Sequence, residues 1–411
     1  MAFDFDQLRR DIRATKCQLR ADIPDLAERF AKVDADIRHQ IAEINGADHP
    51  IPELSAQQVM SGQVSDPMRA LIKRRGCVVI RGVFDRDRVE RWNQQLLSYV
   101  HDNDYFTKQR AKAGLDNYFG ELGSSKPQIF GLYWSKPQME ARQSPELAQV
   151  RRWLNRLWQF EHEGVREFDP DQECLYPDRV RQREPGDKTL GLSPHIDGGS
   201  VERWLDSTYR DVYRHVFSGD VDQYDPFDAR FRSQTHEIPS PAVCSMFRTF
   251  QGWTALTTQG AGNGTLNLVP IANVMAWILL RTLLDDTDDD DLCGAAPGRA
   301  MPIKDAFHAL LLEAYVPIPT VNPGDTVWWH PDVIHGVEDH NQGPGYSNVF
   351  YIGAAPDCAK NRAFLDRLRP KFEAGESSPD FAAEDYEVDF ADRFQIGDLT
   401  ELGRRQLGYD R

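Results

Sequence analysis

Apolar residues recur every three or four positions early in the chain: Leu26, Phe30, Val33, Ile37, Ile41 and Ile44. That period lays them along one helical face, and the stretch from about residue 4 to 46 is expected to be helical. Such a stripe serves either as a dimer seam or as packing against its own domain. His49-Pro50-Ile51-Pro52 then breaks the helix. Residues 76–84 (GCVVIRGVF) read as a strand, followed by a helix carrying Val89, Trp92, Leu96 and Val100. Residues 129–134 read as another strand. Leu147, Val150, Leu154, Leu157 and Trp158 mark a further helix. From about 200 to 240 the chain is polar and aromatic with weak periodicity, the character of an insertion or lid that carries specificity. From Val243 the period becomes two, so Arg248 shares a largely apolar strand face with Cys244, Met246 and Phe250. Residues 260–264 (GAGNG) make a hairpin turn into a strand at 265–269. Their spacing is not that of a dinucleotide fingerprint. Residues 272–284 form an apolar helix. We divide the chain into a helical segment, 1–50, packing on the core, and one domain, 51–411, carrying the insertion.

Composition narrows the class. The chain has 411 residues, 40% hydrophobic and 27% charged, enough to bury a large core. A net charge of −16 repels nucleic acid and anionic membranes and favours a small-molecule substrate. The run from Asp285 to Asp291 lacks the spaced oxygen ligands of a calcium loop and reads as solvated. Six cysteines without a C-x-x-C pair fit a reducing, cytoplasmic setting. Residues 1–20 lack the apolar core of a signal peptide, and no segment approaches the roughly 20 apolar residues that span a bilayer. A homo-oligomer is compatible with all of this.

The candidate chemistry is a metal site. His195-Ile196-Asp197 places an imidazole and a carboxylate two residues apart, on the same side of an extended strand. About one or two His-x-Asp/Glu triplets are expected by chance in such a chain. A second one is present, His330-Pro331-Asp332. Context separates them. Gly198-Gly199 follows the first, as at a strand end opening into a turn, whereas the second reads as part of a tight turn. His335 ends a turn and two short strands beginning at Pro323-Gly324 and supplies the third ligand. Two imidazoles and one carboxylate hold one face of a ferrous ion and leave the other open. Arg248 needs a partner, either a structural carboxylate or a carboxylate cosubstrate.

Residues 76–84, His195-Ile196-Asp197, the stretch from Pro323 to Gly336 and the glycine-rich hairpin together resemble the iron(II)/2-oxoglutarate dioxygenase superfamily, close to its phytanoyl-CoA hydroxylase group. Phe247 to Trp253 and Val327-Trp328-Trp329-His330 are similar, more narrowly, to the YbiU-like oxidoreductase family, a domain of unknown function. The resemblance covers most of the chain from about residue 50. It implies a mostly β fold, a double-stranded β-helix or jelly roll flanked by helices. It also implies Fe(II) held by His195, Asp197 and His335, 2-oxoglutarate as cosubstrate and O2 as oxidant. One departure is plain. The superfamily places an Arg or Lys about ten residues after the distal His, but the first basic residue after His335 is Lys360. Arg248 is the substitute anchor for the far carboxylate, Lys136 the second choice, and Ser347 and Asn348 offer uncharged hydrogen bonds. Two other readings stay open: a cupin-like metal oxidase or isomerase without 2-oxoglutarate, and a non-catalytic jelly roll that binds a small carboxylate.

Overall fold

The stretch expected to be one helix is two, and the apolar stripe lies on the second. The structure, a computed structural model, describes residues 4–112, 127–189, 193–241 and 243–410. Helix α1 spans Phe5–Asp22 and α2 spans Leu26–Asn45, separated at Pro24, whose ring and missing N–H end the first helix. Asp4 caps α1 by accepting the Gln7 N–H. On α2, Val33, Ile37, Ile41 and Ile44 are buried. They pack with the helix Val274–Arg281, where Phe30 meets Trp277 at 5.7 Å between ring centroids. Burial of each aliphatic side chain is worth about 1.5–3 kcal/mol, so the stripe is spent on its own chain and not left as a seam.

Strands follow in chain order: β1 (Glu53–Ser55), β2 (Cys77–Arg81), β3 (Ile129–Phe130), β4 (Val180–Arg183), β5 (His195–Ile196), β6 (Phe250–Ala255), β7 (Leu266–Val269), β8 (Met301–Pro302), β9 (Val316–Pro317), β10 (Thr326–Trp329), β11 (Ile334–Val337) and β12 (Ser347–Ala354). They form a seven-stranded sheet, ordered β1-β2-β10-β6-β12-β4-β3, and a five-stranded sheet, ordered β8-β5-β11-β7-β9. Only the β1–β2 pair in these sheets is parallel.

Period-two alternation sorts their side chains. Val79, Trp253, Val327 and Val349 of the large sheet meet Leu266 and Leu268 of the small one in a shared core. Val78, Phe250, Trp328 and Phe350 face the other way, onto Trp92, Leu96, Leu147 and Leu154 of the helices Arg86–Asp102 and Pro145–Asn155. The outer face of the small sheet, with Ile196, Val269 and Ile334, is covered by α1, α2 and the segment after Asp197. That segment is helical over Glu202–Leu205, Ser207–Val212 and Arg214–Phe217 and buries Trp204, Tyr213 and Val216.

The described residues are therefore mixed α/β, 41% helix and 17% strand in several sheets, rather than mostly β. Its strands are short, and helices cover the outer faces of both sheets. Two other expectations change. The strand at 129–134 shortens to β3. The strand expected from Val243 begins only at Phe250. Ahead of it, side chains take the backbone groups that a neighbouring strand would have bonded. Ser245 N–H donates to Asp380 at 2.7 Å, and Phe247 N–H to Asn361 at 2.8 Å.

The acidic run is not simply solvated. Lys16 donates to Thr287 and to the Asp288 and Asp291 carbonyls, and Arg20 pairs with Asp289 at 2.7 Å, which ties α1 to the loop. Among the described residues no helix is long and apolar enough to cross a membrane.

Candidate metal centre

Strand register brings the two imidazoles together. β5 and β11 pair antiparallel with His195 directly opposite His335, and the ring centroids lie 4.4 Å apart. Ile196 faces the outer core, so His195 and Asp197 on either side of it face inward. Immediately after Asp197 the chain turns through Gly198 and Gly199 at φ 83° and 97°, a region that L side chains avoid. A Cβ on Gly199 would lie 2.8 Å from the Tyr209 hydroxyl, which donates back to the Gly198 carbonyl.

One ligand atom from each of His195, Asp197 and His335 lies within 4.8 Å of the others. His195 Nε2 is 3.6 Å from Asp197 Oδ1, and His335 Nε2 is 3.4 Å from Oδ2. Both Nδ1 atoms face carbonyls, His195 that of Ser193 at 2.6 Å and His335 that of Val333 at 3.1 Å. A carbonyl only accepts, so each Nδ1 carries a proton turned away from the cluster and each Nε2 faces into it. Gln251 Nε2 donates to Asp197 Oδ2 at 2.7 Å, and Trp329 Nε1 donates to Gln251 Oε1 at 2.8 Å. The indole can only donate, which fixes the amide with its nitrogen toward the carboxylate.

Charge follows from the same packing. Burial alone would push the Asp197 carboxyl up, but His335, His195 and Arg248 together hold it well below the usual carboxylate range. Burial, then repulsion from His335, pulls His195 down to about 4. At neutral pH the cluster is thus one anionic oxygen and a neutral His195 nitrogen beside the His335 Nε2. This donor set fits a divalent first-row metal ion. The cluster opens on a pocket with about 860 Å³ of empty space, its mouth included, walled by Arg181, Arg248, Trp253, Tyr351 and Phe381.

The other sequence candidates separate. Arg248 lines this pocket, buried, its guanidinium 5.0 Å above the Tyr176 ring. Ser347 and Asn348 are neighbours on β12, so only one can face inward. Ser347 does, donating to Gln259 at 2.6 Å. Asn348 points to the helix side and donates to Asn93 at 3.1 Å. Lys136 begins the helix Lys136–Arg142 and pairs at the surface with Asp392, away from the pocket. His330 and Asp332 are structural. His330 Nε2 donates to the Pro226 carbonyl at 2.9 Å, its Nδ1 accepts the Asp332 N–H, and its ring stacks on Trp158 at 4.8 Å. Asp332 is paired with Arg203 at 2.9 Å and Arg232 at 3.0 Å.

Three residues escaped the sequence reading: Gln251, Trp329 and Arg181. Arg181 sits on β4 opposite Val349 and is 1% exposed. Its Nη2 lies 3.3 Å from both Ser347 Oγ and Gln259 Oε1. Burial pulls its guanidinium down from the ordinary value. The signal for it was an arginine at alternate positions, Arg179-Val180-Arg181-Gln182-Arg183, in a strongly acidic chain.

Comparison with known proteins agrees over the whole length. The uncharacterized protein YbiU of Escherichia coli K12 is 45% identical over 405 residues, covering 97% of this chain and 96% of that protein. A Salmonella typhimurium LT2 crystal structure, described provisionally as an oxidoreductase, superposes with a TM-score of 0.93 at 45% identity, covering 98% of this chain and 97% of that one. The GlcNAc-inducible Gig2 protein (DUF1479) of Candida albicans superposes with a TM-score of 0.81 at 27% identity, covering 99% of this chain and 90% of that one. The Gig2-like family model matches residues 6–409, and the chain belongs to the Gig2-like family.

Proposed function

We propose that this chain is a non-haem iron(II) dioxygenase. It uses 2-oxoglutarate and O2 to oxidise a small molecule, most simply by hydroxylation, and its two facing sheets are the halves of a double-stranded β-helix. The observation that carries the reading is the cluster of His195, Asp197 and His335: two imidazoles and one carboxylate on one side, with a walled pocket on the other. The provisional description of the Salmonella relative as an oxidoreductase agrees with it.

Bound iron, with its cosubstrate and oxygen, supplies the oxidising power needed to attack a C–H bond. The chain supplies everything else. His195 and His335 present nitrogen lone pairs whose direction is set by their Nδ1–H bonds to carbonyls. Asp197 stays anionic, and Gln251, itself held by Trp329, fixes the orientation of that carboxylate. Trp253, Tyr351 and Phe381 limit water around the open face. Arg181, beside Ser347, furnishes the positive charge that β12 lacks for the far carboxylate of 2-oxoglutarate, and Arg248 adds a second cation to the pocket wall.

The test is an anaerobic titration of metal-free protein with Fe(II) and 2-oxoglutarate, followed by the visible charge-transfer band of the chelate. The band appears in the wild type and is absent in Asp197→Ala. Iron binding without a band, and without consumption of 2-oxoglutarate in air, would favour the cupin-like reading. Iron binding with no oxygen uptake against any substrate would favour a non-catalytic binder.

A further inference from the structure

A buried guanidinium is costly unless a carboxylate meets it. Elsewhere among the described residues a buried arginine meets a carboxylate or backbone carbonyls: Arg203 and Arg232 share Asp332, Arg151 meets Glu173 at 3.1 Å, and Arg142, Arg183 and Arg393 donate to carbonyls. The pocket holds two exceptions. Arg181 is 1% exposed and Arg248 7%, and among the described residues neither makes an ion pair. Arg181 Nε has no hydrogen-bond partner, and the other contacts of its guanidinium are a neutral amide and a hydroxyl. Arg248 rests on the Tyr176 ring, and the carboxylate charge it feels most is that of Asp197, which the metal would claim.

The two cations approach from different sides. Arg181 comes from the large sheet beside β12, and its fork reaches Ser347, on the strand where the resemblance predicted a basic residue. Arg248 comes from the irregular segment before β6. It lines both the metal pocket and an adjoining cleft with Gly198, Tyr209 and Glu237. Its stem is accommodated by Gly353, where a Cβ would lie 3.1 Å from Arg248 Cδ.

We infer that the two arginines divide two carboxylates between them: Arg181 takes the far carboxylate of 2-oxoglutarate, and Arg248 takes a carboxylate of the primary substrate, which is therefore an organic acid. The first half rests on the function proposed above. The second half stands on the geometry of Arg248. Planar guanidinium forks match carboxylates bidentately, and these two reach the pocket from different sides, so each is placed to meet its own acid.

The experiment uses the full chain and its Arg181→Met, Arg248→Met and Arg248→Lys variants, each first shown to be folded and to bind Fe(II). In the anaerobic titration, Arg181→Met weakens the 2-oxoglutarate chelate by roughly tenfold to a hundredfold, the weight of a charge-assisted pair. Arg248→Met changes it by less than about twofold, since its fork faces the other acid. Benzoate and hexanoate are then added to the Fe(II)–2-oxoglutarate protein, with benzamide and hexanamide as neutral counterparts. Melting temperature and the chelate band are both read.

The acids raise Tm or perturb the band and the amides do not. The response is lost in Arg248→Met and is at least partly kept in Arg248→Lys. Amides as effective as acids, or an acid response that survives Arg248→Met, overturn the assignment of the substrate. Equal loss of the chelate in both Met variants overturns the division of roles. Absence of a chelate band in every protein sinks the dioxygenase reading itself. In that case the Tm comparison, repeated on Zn(II)-loaded protein, still judges Arg248.

Discussion

The chain carries two His-x-Asp triplets of opposite character. In His330-Pro331-Asp332 every interaction is already taken: both ring nitrogens are bonded to backbone, the ring is stacked on Trp158, and the carboxylate is clasped by Arg203 and Arg232. In His195-Ile196-Asp197 the Nδ1 atom is bonded, but Nε2 faces a carboxylate that Gln251 alone restrains through a hydrogen bond shorter than 3 Å. The letters are alike. The difference is unspent bonding capacity, aimed at one point. A structural triplet lowers the energy of the folded chain by itself, whereas the other keeps donor atoms that could hold an ion.

The largest effect should come from breaking the structural triplet. Asp332→Ala leaves two buried guanidinium groups uncompensated, and denaturant titration should show a stability loss of about 3–5 kcal/mol. Metal affinity of the molecules that remain folded should hardly change. The mirror experiment is Asp197→Ala. Fe(II) affinity should fall by more than about a hundredfold, since even outer-shell partners are worth 10–100-fold. Iron-dependent turnover should vanish while the metal-free protein melts close to wild type. A variant that unfolds instead would mean that Asp197 is structural and would erase the contrast.

Gln251→Ala should sit between the two, costing roughly tenfold to a hundredfold in metal affinity with the triad itself intact. Equilibrium dialysis against Fe(II) measures it, and an unchanged affinity would mean that the Trp329–Gln251–Asp197 chain does not orient the ligand. The last effect is a pH dependence. Burial holds His330 down to about 3, whereas an unfolded histidine titrates near 6.5. The unfolded chain therefore binds the proton first. The stability His330 contributes is complete above about pH 6.5 and is lost as pH falls toward about 3. His330→Gln should flatten the Tm–pH curve over that window, and an unaltered slope would show that other groups govern acid unfolding.

Local pattern carried much of the architecture. The helical stripe on α2, the strands at 77–81 and 326–329, and the helix behind Val274 were visible because apolar period and turn residues are local properties. The failures are equally local in cause. Pro24 divides the stretch from about 4 to 46 that reads as one helix. Apolar alternation from Val243 resembles a strand, yet Asp380 and Asn361, far along the chain, capture its N–H groups. Lys136 looked available because its distance from the pocket cannot be counted along the chain. Asn348 was paired with Ser347 although a strand sends them to opposite faces.

By itself the sequence determined the candidate ligand types, the spacing that turns His195 and Asp197 to one side, and the glycines that let the chain leave the site. It also determined that β12, the strand after His335, carries no Lys or Arg. Only the tertiary structure decided that His335 stands opposite His195, that Gln251 holds the carboxylate, and that Arg181 arrives from a neighbouring strand to stand beside Ser347. The physical reason is one of range. Side-chain direction along a strand is set by the residues next to it, but the partner of a charge is set by sheet register, and register joins residues far apart in the chain.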